Sequence, residues 1–175
     1  NGSGYNVAVG HNAGLTMTSG IKNTITGGNA GDALTTGSSN VAIGYGALTT
    51  EDTGSRNVAI GQDALASLNY DGNGYNVAVG HEAGVRVTTG LVNILIGGFT
   101  GDHLTTGGDN VAIGHAALTA EDGHGKNIAI GTQALEDQNA GADAYNIAIG
   151  HQAGRDITTG VQNTIMGGLA GDALT

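Results

Sequence analysis

The side chains best suited to acid–base or metal chemistry are carboxylates and imidazoles, and in this chain both recur. Asp32, Asp102 and Asp172 stand at one fixed interval, and the pairs Glu51-Asp52 and Glu121-Asp122 are separated by the same interval. Two carboxylates flanking a glycosidic bond are the machinery of sugar hydrolysis. A catalytic site, however, is built once, from unlike residues held by a scaffold. Carboxylates that repeat beside Gly or Thr read as a solvated rim in turns. His11, His81 and His151 share that interval, and His115 holds the same place after its Gly. None has a second ligand at fixed spacing, and a position after a turn Gly is expected to face outward, so no metal site is assigned. Asn69, Asp71 and Asn73 alternate oxygen ligands in the manner of a calcium loop, but their counterparts Asn139, Gly141 and Asp143 lose the central carboxylate. Ser-His-Asp order, a nucleotide-binding Gly loop and a Cys cluster are all absent from the sequence. The expectation is a non-enzymatic chain with no catalytic residue, no metal site and no cofactor.

What must position these groups is a repeat. Asn6-Val7-Ala8-Val9-Gly10 opens a pattern of Asn, three apolar or Thr positions, then Gly. It returns at Asn23, Asn40, Asn57, Asn76, Asn93, Asn110, Asn127, Asn146 and Asn163. The step in sequence number is 17, lengthened to 19 after Asn57 and after Asn127. A short fixed period of this kind is the signature of a solenoid, each repeat forming one coil on the last. The units group in fours, so residues 1–175 read as a single repeat domain with super-repeats 1–70 and 71–140 and a partial third at 141–175. The fold class expected is all-β: a parallel β-solenoid or β-roll of ten coils of about 17 residues, with negligible helix.

Alternation along a strand puts Val7 and Val9 on one face and Asn6, Ala8 and Gly10 on the other. The middle position holds Ala8, Ile25, Ala42, Ala59, Ala78, Leu95, Ala112, Ala129, Ala148 and Ile165, and is never polar. With Val and Ile filling the coil interior, the middle position would form a continuous apolar stripe, which an ordinary surface does not carry. The stripe therefore predicts a parallel homotrimer packed through these ten residues, with Ile25, Leu95 and Ile165 plugging its axis. Ala59→Asp or Ala129→Asp should then break the assembly, and Thr36→Asp in a turn should not. The ten Asn side chains are expected to stack about 4.8 Å apart as a hydrogen-bonded structural ladder.

The second half of each unit reads as a weaker strand and a turn. Leu15, Met17 and Ile21 match Val85, Val87 and Leu91, and Thr-Thr-Gly recurs at Thr35 to Gly37, Thr88 to Gly90, Thr105 to Gly107 and Thr158 to Gly160. Thr favours strands, and the Gly is expected to supply a positive φ. Thr-Thr-Gly occupies two of four units, so the flat Thr array of an ice-binding face is interrupted. The chain has 34 Gly, no Pro or Cys and a net charge of −10, with its five basic residues spread singly. That composition excludes collagen and argues against a nucleic-acid or anionic-membrane partner. No signal peptide or membrane span is visible, and the pattern starts and stops in mid-repeat, so a piece of a longer chain is expected.

Asn-Val-Ala-Ile-Gly at Asn40 to Gly44 and Asn57 to Gly61 resembles the head repeats of trimeric autotransporter adhesins of the YadA type. Gly-Ser-Arg-Asn-Val-Ala-Ile-Gly-Gln-Asp-Ala-Leu at Gly54 to Leu65, and the stretch from Gly160 to Leu174, are similar to repeats of bacteriophage tail fibres. The resemblance spans the chain and implies a trimer of parallel β-rolls. It implies a structural shaft or receptor-reaching segment of a tail fibre, located in the virion, with a host-surface glycan or protein receptor as partner. The alternatives are an adhesin head on a bacterial cell surface and a polysaccharide-cleaving tail spike.

Overall fold

The structure is a computed structural model that describes residues 4–174. The expected domain limits at residues 1 and 175 lie outside that range. Ten short strands, β1 (Val7–Val9), β2 (Thr24–Thr26), β3 (Val41–Ile43), β4 (Val58–Ile60), β5 (Val77–Val79), β6 (Ile94–Ile96), β7 (Val111–Ile113), β8 (Ile128–Ile130), β9 (Ile147–Ile149) and β10 (Thr164–Met166), contain the repeat cores. They pair in chain order into one parallel ten-stranded sheet, so each coil adds one strand. The described residues contain no helix. The chain is a β-solenoid.

The register follows the repeat, including across the two longer steps. Ala42 pairs with Ala59, and Ala59 with Ala78 across the first longer step. The extra residues are taken up at the connection, where Ser55 bridges Asn73. Positive-φ residues bound the strands on both sides. Arg56 before Asn57 has φ 63° and Gly61 after β4 has φ 135°, and the same pair of turns recurs in every coil.

The rest of the coil is not a second strand, in contrast to the expectation. Overlapping turns fill it in the first coil: Ala13 N–H donates to Gly10 O at 3.3 Å, Leu15 to Asn12 at 3.2 Å and Met17 to Gly14 at 3.2 Å. Asn12 and Gly14 have φ 58° and 60°, as the third residue of a type II turn requires. Positive φ at alternate residues is incompatible with an extended chain, whatever the strand preference of the Thr and Val nearby. The turn backbone is instead satisfied by the coils on either side: Gly14 N–H donates to Ala30 O at 3.0 Å and Asn29 N–H to His11 O at 2.9 Å.

The strand faces are the reverse of those expected. The middle residues point into the chain's own coil: Ile25, Ala42, Ala59, Ala78, Leu95, Ala112, Ala129 and Ala148 have no exposed surface, and Ile165 retains 7%. Only Ala8, in the first coil, is exposed. These residues are therefore not available as a trimer interface. The coil is too thin for two rows of Val and Ile; the turn side returns Ala47, Leu48 and Leu68 close beneath the strand, where Ala fits. Ile25, Leu95 and Ile165 plug this interior rather than a three-fold axis. Gly31 and Gly101 face Ile25 and Leu95, and a Cβ on either glycine would lie within 3.4 Å and 3.1 Å of those side chains. Where the strand carries Ala42, Ala59, Ala112 or Ala129, the same turn position carries Leu48, Leu65, Leu118 or Leu135. In these units large stands opposite small; in the first unit of each super-repeat both positions are small, as at Ala78 with Gly84 and Ala148 with Gly154, and side chains of the flanking coils, Leu65 and Leu95 or Leu135 and Ile165, reach the space.

Candidate functional site

The ten asparagines form two rows of bonds. From Asn6 to Asn146, each Oδ1 accepts the backbone N–H of the next repeat's Asn, as from Asn40 at 2.9 Å to Asn23 and from Asn110 at 3.1 Å to Asn93. The Nδ2 reaches across the coil to a turn carbonyl: Asn23 to Gly37 at 2.9 Å, Asn40 to Gly54 at 2.8 Å, Asn93 to Gly107 at 2.9 Å. The ladder therefore runs from side chain to backbone as well as between amides. Removing one such Asn leaves two buried backbone groups unpaired, at about 1–3 kcal/mol each. The two longer coils interrupt the second row, because their inserted loops displace the carbonyl that would receive the amide. Asn57 Nδ2 reaches only Ser55 O at 3.4 Å, and Asn127 Nδ2 has no partner.

The Gly of Thr-Thr-Gly is required for a different reason from the one expected. Gly37, Gly90 and Gly107 do not have positive φ. A Cβ on Gly37 would overlap the Gly54 carbonyl oxygen, and one on Gly90 would overlap that of Gly107. Close stacking of successive coils, not backbone handedness, excludes a side chain there.

The carboxylates divide into two environments. Asp32 accepts the Thr49 hydroxyl at 2.6 Å at the edge of the stack. Asp71 and Asp143 are exposed in the inserted loops, where Asp143 pairs with Lys126 at 2.7 Å. Glu51 and Glu121, expected on a solvated rim, are fully buried. They share a core column with Leu34, Leu68, Leu104 and Gln138, so their side chains point inward. Burial pushes the Glu51 carboxyl above its ordinary 4.5, hydrogen bonds from Gly54 and Tyr70 N–H oppose the shift, and the Asp52 carboxylate adds to it. The folded chain then binds the Glu51 proton more tightly than the unfolded chain, so Glu51 subtracts stability as pH rises from 4.5 through its raised value. Gln138 shows that an amide fits this column. Glu51→Gln is expected to be no more stable than the parent at pH 3 and to gain on it progressively toward pH 7. Paired urea titrations across that range check this; a constant difference between the two proteins would refute the linkage.

Glu121 differs from Glu51 in its surroundings. His124 replaces Gly54 of the first super-repeat. Its Nδ1 lies 3.5 Å from Glu121 Oε1 and 4.0 Å from Asp122 Oδ1. Glu121 Oε1 accepts the His124 backbone N–H at 3.2 Å, while Oε2 is buried without a partner. Sequence reasoning passed over His124 because it weighed histidines that repeat. Its signal is the opposite one, a departure from the repeat beside an acidic pair that does repeat. The repeating histidines His11, His81, His115 and His151 are exposed, with Phe99 packed edge-on between His81 and His115 at 5.1 Å and 5.8 Å. His81 Nε2 lies 3.4 Å from the neighbouring Glu82 Oε1, and none of the four belongs to a group of three or more ligand-type side chains among the described residues.

The outer face of the sheet carries the larger apolar residues. Val7 and Val9 in β1, Ile94 and Ile96 in β6 and Met166 in β10 are exposed, and Val41, Ile43, Val58, Ile60 and their counterparts are half-buried. The result is two parallel columns of Val and Ile along the solenoid, interrupted by Thr24, Thr26 and Thr164. Beside them run Tyr5, Tyr75 and Tyr145, the last two beneath Arg56 and Lys126 at 5.5 Å and 5.2 Å. Comparison with protein-family models, curated proteins and solved structures found no match.

Proposed function

We propose that this chain is a non-enzymatic structural shaft or receptor-reaching segment of a phage tail fibre, assembled as a parallel homotrimer through the outer Val and Ile columns. The observation that carries this reading is the outer apolar face itself, partly exposed along the solenoid and broken only at Thr24, Thr26 and Thr164, over coils whose interiors are already filled. Apolar patches of that extent mark association surfaces. Identical columns on each copy match in register when copies lie parallel, which suits self-association about an axis. The resemblance to trimeric fibre and adhesin repeats supplies the number three and the virion location. Ten coils at about 4.8 Å give a rod section on the order of 50 Å long, a spacer that carries a host-surface glycan or protein receptor contact outward.

Sedimentation velocity tests the assembly. The expected species is an elongated trimer of 17.1 kDa chains; a folded monomer at micromolar concentration would refute it. Release of sugar fragments from host polysaccharide, lost when the turn carboxylates are changed to amides, would refute the non-enzymatic assignment.

A further inference from the structure

We propose that Glu121, Asp122 and His124 form a binding site for one divalent transition-metal ion of the zinc type. The donor set is one imidazole nitrogen and two carboxylates, whose nearest ligand atoms lie within 4.8 Å of one another. One imidazole with carboxylate oxygens is a borderline set that zinc accepts. The geometry agrees. Two atoms 3.5 Å apart, as His124 Nδ1 and Glu121 Oε1 are, subtend about 113° at an ion about 2.1 Å from each, near the tetrahedral angle. Asp122 Oδ1 is 4.0 Å from Nδ1 and accepts the Gly123 N–H; its side chain is exposed, and rotation that closes the remaining distance exchanges that hydrogen bond for the ion. The open side of Asp122 and His124 leaves the fourth position to water.

Unsatisfied atoms point to the same place. Glu121 is fully buried and its Oε2 has no hydrogen-bond partner; neither has the buried Nδ1 of His124. The matching coil of the first super-repeat shows what a purely structural Glu does here. Both oxygens of Glu51 accept backbone N–H groups, Gly54 at 2.7 Å and Tyr70 at 3.3 Å. At Glu121 the second of these is gone, and an imidazole has been added where Gly54 has no side chain. A buried carboxylate short of donors beside an unpartnered nitrogen is costly without a cation between them.

The test is zinc titration of the whole chain by calorimetry, with calcium and magnesium chloride as comparators, against His124→Gly and Glu121→Gln. His124→Gly restores the residue of the first super-repeat and keeps His11, His81, His103, His115 and His151, so it subtracts any zinc held on surface histidines. One zinc per chain is expected, with affinity reduced more than about tenfold in each variant and no comparable calcium or magnesium binding. Zinc X-ray absorption of the parent should report a single imidazole with oxygen neighbours, which keeps the proposal testable if a variant fails to fold. Equal zinc affinity in the parent and His124→Gly, no zinc binding to the parent, or a spectrum with two or more imidazoles would overturn it.

Discussion

Gly61→Ala is expected to abolish cooperative folding of the central coils. Gly61 closes β4 with φ 135°, outside the left-handed region that even Asn and Asp visit. A Cβ built there would overlap the carbonyl oxygen of Gly80 and come within 2.6 Å of its carbonyl carbon. Both atoms belong to backbone held in the ladder, so no flexible side chain can yield. Gly80 N–H also donates to Ile60 O at 2.8 Å, which fixes the coil spacing that would have to open. Strain and overlap together exceed about 4 kcal/mol, the range of the most damaging single substitutions. Because each coil contacts only its neighbours, a fault in the fourth coil divides the stack and removes the pairing on both sides. Gly141→Ala is the control: its φ is 68°, but nothing lies within 4 Å of its Cβ. That variant should lose no more than about 1–2 kcal/mol. Circular dichroism during thermal unfolding separates the two, and a Gly61→Ala chain that melts with the parent would refute the close-stacking account.

Architecture was legible in the sequence because one near-constant step carries it. Asn and Gly both recur at that step, and each has a backbone-level reason: the Asn bonds the neighbouring coil and the turn across, and the Gly lets the next coil approach. Polarity was not legible from the same stretch. In Asn-Val-Ala-Ile-Gly, alternation says that Val and Ile share a face but not which face is interior. The rule that larger apolar residues fill the core decided wrongly, because the interior of so thin a coil is set by what the turn side returns. The deciding clue was present in the pairing of Ile25 with Gly31 and of Ala42 with Leu48, a volume exchange across the coil rather than along the strand. Buried Glu51 was equally recoverable, since it follows Gly44 at the same offset at which Leu34 follows Gly27 and Leu68 follows Gly61. The turns were harder. Positive φ at Asn12, Leu48 and Phe99 has no common residue type behind it; it goes with bonding to neighbouring coils, which a local reading of Thr and Val cannot see.

Leu95→Asp and Ile96→Asp, adjacent in β6, are expected to fail in opposite ways. Leu95 has no exposed surface and is packed over Gly84 and Gly101. A carboxylate there is buried in a single chain with no cation at hand, at several kcal/mol, and leaves the volume of a Leu partly empty. Leu95→Asp should therefore lose the β signal in circular dichroism. Ile96 is 37% exposed on the outer face. Alone in a folded monomer, Ile96→Asp should cost about 1 kcal/mol, the ordinary size of a single-substitution effect. In the proposed trimer it would set three carboxylates against an apolar interface, so the variant should stay folded and sediment as a monomer. Thr36→Asp, exposed in a turn, should be folded and trimeric like the parent. The pair thus separates the coil's own interior from its partner surface. A folded Leu95→Asp chain would contradict the strand polarity, and an Ile96→Asp chain that still forms trimers would move the interface away from the Val and Ile columns.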